Sequence, residues 1–320
     1  MLVLSAGDVR AALPMARAIE AMREAFTLLV EGRADLPLRT QVQLPDGRGV
    51  FLTMPARCDV PLGLGAKLVS VVPGNVERGR PLVHAALVLL DAETGEIAAL
   101  LEGTSLTAIR TGAASGLATD LLARRDARRV AIIGSGVQAR TQLAAVCCVR
   151  RIEAVTVYSR TRANAERFAT EMAGIGDVPR IITVEPTAGA AAGWADIICL
   201  ATTARTPVLA AAGVPEGAHV NAVGSFTPEM QEFEPALLGR ARVVVDQREA
   251  AMAEAGEVIA AAKAGVVSRD RLVELGEVVV GRAIGRESER QVTVFKSVGL
   301  VVQDVCAGAR VVAAALKGGP

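Results

Sequence analysis

Val130-Ala-Ile-Ile-Gly134-Ser-Gly136-Val-Gln-Ala139 is an apolar run, a G-x-G-x-x-A loop and the opening of a helical segment. Each small residue has a physical task. Gly134 permits a tight turn, Gly136 lets the backbone approach a pyrophosphate, and Ala139 lets helix and strand pack closely. The helix start adds unpaired N–H donors and a positive dipole end. Gly134, Ser135, Gly136, Val137 and Gln138 are therefore candidate contacts to a dinucleotide. The loop alone is a weak signal, and its context strengthens it. VAIIG is followed by EAVTVYS, RIITVE, ADIICLAT, HVNAVG and RVVVDQ, with helical segments at 137–149, 161–173 and 247–264. Six short apolar runs alternating with helices predict an α/β fold with a Rossmann-type, doubly wound parallel sheet. Its expected range is 119–292.

The end of the second run sets the expected cofactor. An NAD site usually carries Asp or Glu there for the ribose hydroxyls, whereas a nearby Arg accommodates a 2′-phosphate. Here the text is Tyr158-Ser159-Arg160-Thr161. One cation and two hydroxyls favour NADPH, with NADH possible. Thr202 follows the fourth run at the carboxyl edge where dinucleotides lie, and is a further candidate contact.

Outside this region the pattern changes. Residues 14–31 place Ile19, Met22, Phe26 and Leu29 at helical spacing after a proline start. VFLTM, AKLVSVV and LVHAALVLL read as strands, and Asp91–Gly95 reads as the turn of a hairpin. Thr104-Ser105 opens a helix rich in small residues. The chain closes on a short strand or turn, QVTVFKSVG, and an apolar helix. Residues 1–118 and 293–320 are thus expected to form one α+β domain built from both chain ends.

A net charge of +1 gives no electrostatic case for nucleic acid or an acidic membrane, and 2% aromatics leave no base-stacking platform. The amino terminus lacks a signal-peptide pattern, and the most apolar stretch, Leu82–Leu90, is too short to span a bilayer. Five cysteines without metal spacing are expected to be buried thiols in a reducing cytoplasm. His219 is expected in a loop, and His84 either in the fold or lining a substrate cleft. Two histidines without suitable cysteine partners make no zinc site.

Five segments carry a resemblance over nearly the whole chain. They are Pro37-Leu-Arg39-Thr, Gly65-Ala-Lys67-Leu-Val, Leu106-Thr-Ala-Ile-Arg110-Thr-Gly-Ala-Ala, the GSGVQA loop, and Val294-Phe-Lys296-Ser-Val-Gly. Together they resemble the ornithine cyclodeaminase/μ-crystallin family. The resemblance implies a homodimer of two-domain protomers, one domain for substrate and dimerisation, the other for the dinucleotide. It implies that Arg39, Lys67 and Arg110 surround a substrate carboxylate, and that Thr111 reaches cofactor phosphate from the helix of Arg110. Gly224, Ser225 and Lys296 are candidate cofactor contacts on the same basis. The side-chain chemistry agrees: Arg suits bidentate carboxylate recognition, and a buried Lys67 could exchange a proton with substrate nitrogen.

One departure matters. Cyclodeaminases and archaeal alanine dehydrogenases of the family carry G-x-D-x-P after the fifth strand. Here Gly224-Ser225-Phe226-Thr227-Pro228 puts Phe226 in place of that Asp. A phenyl ring takes no proton and holds no ammonium ion. A flat cyclic ketimine suits it better, needing only hydride at carbon and a proton at nitrogen. Expected activity is reduction of Δ1-pyrroline-2-carboxylate to L-proline, and of Δ1-piperideine-2-carboxylate to L-pipecolate. The alternatives are an alanine-type amino-acid dehydrogenase, an ornithine cyclodeaminase, and a non-catalytic NADPH-binding protein of the crystallin kind. Lys67 is the candidate proton donor, and Phe226 a candidate wall of the substrate site.

Overall fold

The computed structural model of the chain describes residues 1–37 and 39–317, and of Val76 the backbone alone. Leu38, part of one resemblance segment, lies outside the described residues. The chain folds as two units, one from Met1–Arg110 with the chain from Leu300 onward, the other Thr111–Gly299.

The first unit is a mixed sheet with helices on one face. Its strands are β1 (Leu2–Leu4), β2 (Ala34–Asp35), β3 (Thr40–Gln43), β4 (Val50–Cys58), β5 (Leu64–Val71), β6 (Val83–Leu90) and β7 (Ile97–Glu102). The order is β1-β7-β6-β5-β4-β2, with β3 also pairing β4. All neighbours are antiparallel except β1 and β7. Period-2 alternation assigns the faces. Lys67, Val69, Leu87, Leu89, Ala99 and Leu101 are buried. Ala66, Val88 and Leu100, cross-strand partners of one another, are only half-buried on the opposite face. The helix Met15–Val30 buries Ile19, Met22 and Phe26. The C-terminal helix, Val301–Lys317, packs on that helix and on β4–β6. Gly308 makes this approach possible, because a Cβ there would sit 2.4 Å from Leu87 Cδ2.

The second unit is an all-parallel sheet of β8 (Arg129–Ile133), β9 (Ala154–Tyr158), β10 (Ile182–Val184), β11 (Ile197–Leu200), β12 (His219–Ala222), β13 (Ala241–Val245), β14 (Val273–Glu274) and β15 (Val292–Lys296). The order is β10-β9-β8-β11-β12-β15-β13-β14. It reverses between β8 and β11, the crevice where doubly wound sheets bind ligands. Buried side chains fill both faces. Val130, Ile132, Val157 and Phe168 lie on one side, and Ala131, Ile133, Ile198, Val220 and Phe233 on the other. This double burial explains why the strands read as unbroken apolar runs.

The α/β expectation holds, and four particulars differ. Residues 292–296 do not join the chain ends. They form β15, which pairs with both β12 and β13, so the unit boundaries fall at 110/111 and 299/300. The helical stretch 247–264 is two helices, Arg248–Glu254 and Gly256–Lys263. His219 is not in a loop but fully buried in β12, with Nδ1 2.9 Å from Thr293 Oγ1 and Nε2 3.1 Å from Asn221 Oδ1. Burial pushes its pKa down to about 3. Cysteines 58, 147, 199 and 306 are buried thiols, whereas Cys148 faces outward on its helix. No helix among the described residues is long and apolar enough to cross a membrane.

Candidate active site

In the first unit, three elements bring charge to one place. β5 carries Lys67, the helix Gly103–Leu122 carries Arg110, and the C-terminal helix carries Gln303 and Asp304. Lys67 Nζ donates to Asp304 Oδ1 at 2.9 Å, and Arg110 Nε donates to the same oxygen at 3.3 Å. Another Arg110 nitrogen donates to Gln303 Oε1 at 2.6 Å. All four side chains are buried. Burial pushes the Lys67 pKa down to about 8; Asp304 opposes the shift, and Arg110 and Arg39 add to it. Arg39, half-buried just before β3, is thus close enough for its charge to act on Lys67. The three cations expected together are together.

Two atoms of this cluster have no protein partner although buried: Asp304 Oδ2 and Gln303 Nε2. Unsatisfied buried polar atoms are costly and call for a partner. Here one acceptor and one donor stand on consecutive residues beside two cations. That chemistry fits a small ligand bearing a carboxylate and a nitrogen that carries a hydrogen once reduced to the amine.

In the second unit, the G-x-G-x-x-A loop joins β8 to the helix Val137–Val149. Gly134 has φ 114°, and a Cβ there would lie 2.4 Å from Ala201 O, so the turn demands glycine. Gly136 is exposed, and a Cβ built on it would meet nothing within 4 Å. The helix start has no side-chain cap. Free N–H donors beside an open, side-chain-free backbone fit a pyrophosphate. Ser135 Oγ bonds Ser159 Oγ at 2.9 Å, linking the loop to the end of β9. Arg140 donates to the carbonyls of Ser135 and Gly136, at 2.6 and 3.0 Å, and pairs with Glu171, which fixes the loop from behind. Arg160 and Thr161 are exposed, and among the described residues Arg160 makes no ion pair. Arg162 instead bonds Glu166 on its own helix.

Four other candidates are bound within the unit. Thr202 gives its backbone N–H and hydroxyl to Glu232 Oε1, at 2.6 and 3.0 Å. The N–H groups of Gly224 and Ser225 go to Glu232 Oε2, at 2.7 and 3.3 Å. Ser225 Oγ donates to Glu257, and Lys296 Nζ donates to Ser225 O and Oγ at 2.6 and 2.5 Å. Ser225, Glu232, Glu257 and Lys296 are fully buried. Lys296 therefore braces the loop after β12 from inside, its ammonium bonded to Ser225 and 3.7 Å from Glu257. Burial raises the Glu232 pKa, Lys296 opposes this, and Glu257 adds to it. Asp246 does similar work after β15, accepting from Ser297 Oγ and from the N–H groups of Val298 and Gly299 at 2.7–3.0 Å. Phe226, just past this brace, is half-buried, and Glu229 is exposed. Thr111, on the helix of Arg110, is buried and its carbonyl accepts from Gln142.

Residues 1–319 match the model described as the ornithine cyclodeaminase/mu-crystallin family. The chain belongs to this family. Among its relatives is the Δ1-pyrroline-2-carboxylate reductase of Bacillus cereus, 40% identical over 307 residues that cover 95% of this chain and 94% of the relative. The Δ1-pyrroline-2-carboxylate reductase of Thermococcus litoralis, solved in complex with NADH and L-proline, superposes with a TM-score of 0.95 at 40% identity, covering 99% of this chain and 98% of that one. An archaeal alanine dehydrogenase dimer with bound NAD gives a TM-score of 0.91 at 35% identity, covering 99% and 96%. The two solved neighbours hold a nicotinamide dinucleotide, NADH in the first and NAD in the second.

Asp304, Gln303, Glu232 and Glu257 were not anticipated from the sequence. For the first two a signal existed. Gln303-Asp304 is a polar pair inside the otherwise apolar run from Val298 to Ala309, and a polar pair on a buried helix face needs a partner. For the two glutamates none did, since nothing in the text joins positions 232, 257 and 296.

Proposed function

We propose that this chain reduces a cyclic ketimine carboxylate, with Δ1-pyrroline-2-carboxylate giving L-proline and the six-membered homologue giving L-pipecolate. The observation that carries the reading is the buried set of Lys67, Arg110, Asp304 and Gln303, with one acceptor and one donor atom lacking partners. Arg110 and Arg39 hold the substrate carboxylate. When bound, the reduced dinucleotide supplies a hydride to C2 of the ring. As the C=N π bond opens, Lys67 passes a proton from its ammonium to the ring nitrogen, and solvent later returns one to Lys67. With a pKa of about 8, Lys67 is charged at neutral pH yet a far better acid than an exposed lysine.

Phe226 supports reduction over deamination, because a phenyl ring stands in the sequence where deaminases of the family carry a carboxylate. Ser159, Arg160 and Thr161 support NADPH over NADH, and the exposed Arg160 is the group to meet a 2′-phosphate. The first unit is proposed to hold substrate and the second the dinucleotide. A second copy of the chain is proposed to cover the half-exposed apolar face of the mixed sheet, where Leu68, Val88 and Leu100 lie. The expected compartment is the cytoplasm.

The test is a panel of cyclic imines and keto acids assayed for dinucleotide oxidation near neutral pH. The expected result is turnover of the imines without added ammonia. Turnover of pyruvate only with ammonia would establish an amino-acid dehydrogenase instead. No turnover of either cyclic imine would overturn the proposal.

A further inference from the structure

We propose that Asp304 is a positioning residue for the reduction, holding the Lys67 ammonium charged and pointing Lys67 and Arg110 from a single carboxylate oxygen. This rests on the reading of Lys67 as proton donor. The geometry points to it in three ways. Asp304 Oδ1 is shared, 2.9 Å from Lys67 Nζ and 3.3 Å from Arg110 Nε, so one atom fixes the spacing of both cations. The neighbouring Gln303 Oε1 takes a second nitrogen of Arg110 at 2.6 Å, which sets the plane of the guanidinium. The carboxylate is fully buried with its second oxygen unpartnered. Most buried side-chain polar atoms have a partner, so this one has capacity to spare.

Among the described residues Asp304 also stands alone in the role. The ionisable groups that face Lys67 are Asp304 from the C-terminal helix, Arg110 from the helix Gly103–Leu122, and Arg39 from the segment before β3. The strands on either side of β5 put Met54 and Leu87 opposite Lys67. Burial, Arg110 and Arg39 all favour the neutral amine, and Asp304 alone opposes them. Without it the amine would lose its proton at a lower pH, and the imine nitrogen would lose its donor there.

Lys67 acts protonated, so activity falls as pH rises through its pKa, giving a basic limb in kcat/KM near pH 8. Replacing Asp304 by Asn removes the one charge that raises this pKa, so the limb must move to lower pH. At a fixed pH above the limb, moving it down by one pH unit leaves about a tenth as much of the charged form.

The experiment is the pH profile of kcat/KM for Δ1-pyrroline-2-carboxylate in wild type and Asp304→Asn. The expected result is a basic limb displaced downward by about one pH unit or more. A limb that stays in place while only thermal stability falls overturns the inference. Wild type without turnover on cyclic imines would instead count against the proposed reaction, so the two failures are distinct. Should Asp304→Asn not fold, wild type carrying ¹³C in its aspartate carboxyl groups gives the answer. The Asp304 resonance, assigned by its disappearance in Asp304→Glu, should move as the Lys67 ammonium 2.9 Å away loses its charge, with the midpoint of the activity limb. A resonance flat from pH 7 to 9 overturns the inference equally.

Discussion

Each unit buries a lysine among carboxylates, and the two clusters differ in what they leave unsatisfied. Lys67 shares Asp304 with Arg110, and Asp304 Oδ2 and Gln303 Nε2 have no partner. Lys296 sits with Ser225, Glu257 and Glu232, and every polar side-chain atom of that group is bonded. Burial and charge alone do not separate them, since both lysines are almost wholly inaccessible. Hydrogen-bond completeness does. A complete network rigidifies loops, whereas an incomplete one keeps capacity for a ligand. The brace in the second unit thus holds Gly224, Ser225 and Thr202 in place, and the cluster in the first unit keeps capacity for a ligand.

Substitution of the two lysines should break the symmetry if the comparison is right. Lys67→Met leaves Asp304 with the Arg110 guanidinium, so the buried carboxylate keeps a cation. The fold should survive and turnover should not. Loss of a positioned proton donor lowers kcat/KM by about 10²–10⁴-fold. The check is steady-state kinetics on Δ1-pyrroline-2-carboxylate beside a thermal melt. Retention of more than a tenth of the wild-type rate would move the proton donor elsewhere.

Lys296→Met should do the opposite. It leaves Glu232 and Glu257 fully buried with no cation at hand. Breaking a buried pair by removing one partner costs about 3–5 kcal/mol. The melting temperature should therefore fall steeply, while folded protein at low temperature keeps a near-normal pH profile. A variant as stable as wild type but inactive would make Lys296 a site residue, and completeness of hydrogen bonding would lose its meaning as a guide.

The sequence showed what is local. The phosphate loop was legible because its chemistry is packed into ten consecutive residues, and the helix Val137–Val149 has the bounds its pattern predicts. Lys67 and Arg110 stood out as lone cations in apolar text. What stayed hidden was neighbourhood. Periodicity shows that residues 292–296 form a strand but not that they slot between β12 and β13. The helices Arg248–Glu254 and Gly256–Lys263 are separate, and a Cβ on Gly256 would lie 2.0 Å from Met230 O, a neighbour that the sequence does not show. Lys296 is a cofactor candidate by resemblance, and its bonds to Ser225, 71 positions away, are invisible in one dimension. Asp304 was missed for the converse reason, as its partner lies 237 positions away.

The mildest prediction concerns the edge of the second unit, where the side chains are exposed and nothing is braced. Arg160 follows β9, carries no ion pair among the described residues, and lies one residue beyond Ser159, which the phosphate loop holds through Ser135. A hydrogen bond to a charged group contributes about 1.5–3 kcal/mol when formed, and solvent screening at an exposed site puts the effect at the lower end. Arg160→Ala should therefore raise KM for NADPH by roughly tenfold and leave KM for NADH and kcat with either cofactor nearly unchanged. The effect should shrink as salt is added, because an exposed charge pair is screened within about 8–10 Å at physiological ionic strength. Equal loss with both cofactors would mean that Arg160 orders the loop rather than reading the phosphate. The exposed edge would then resemble the Lys296 brace, a support for the site with no ligand of its own.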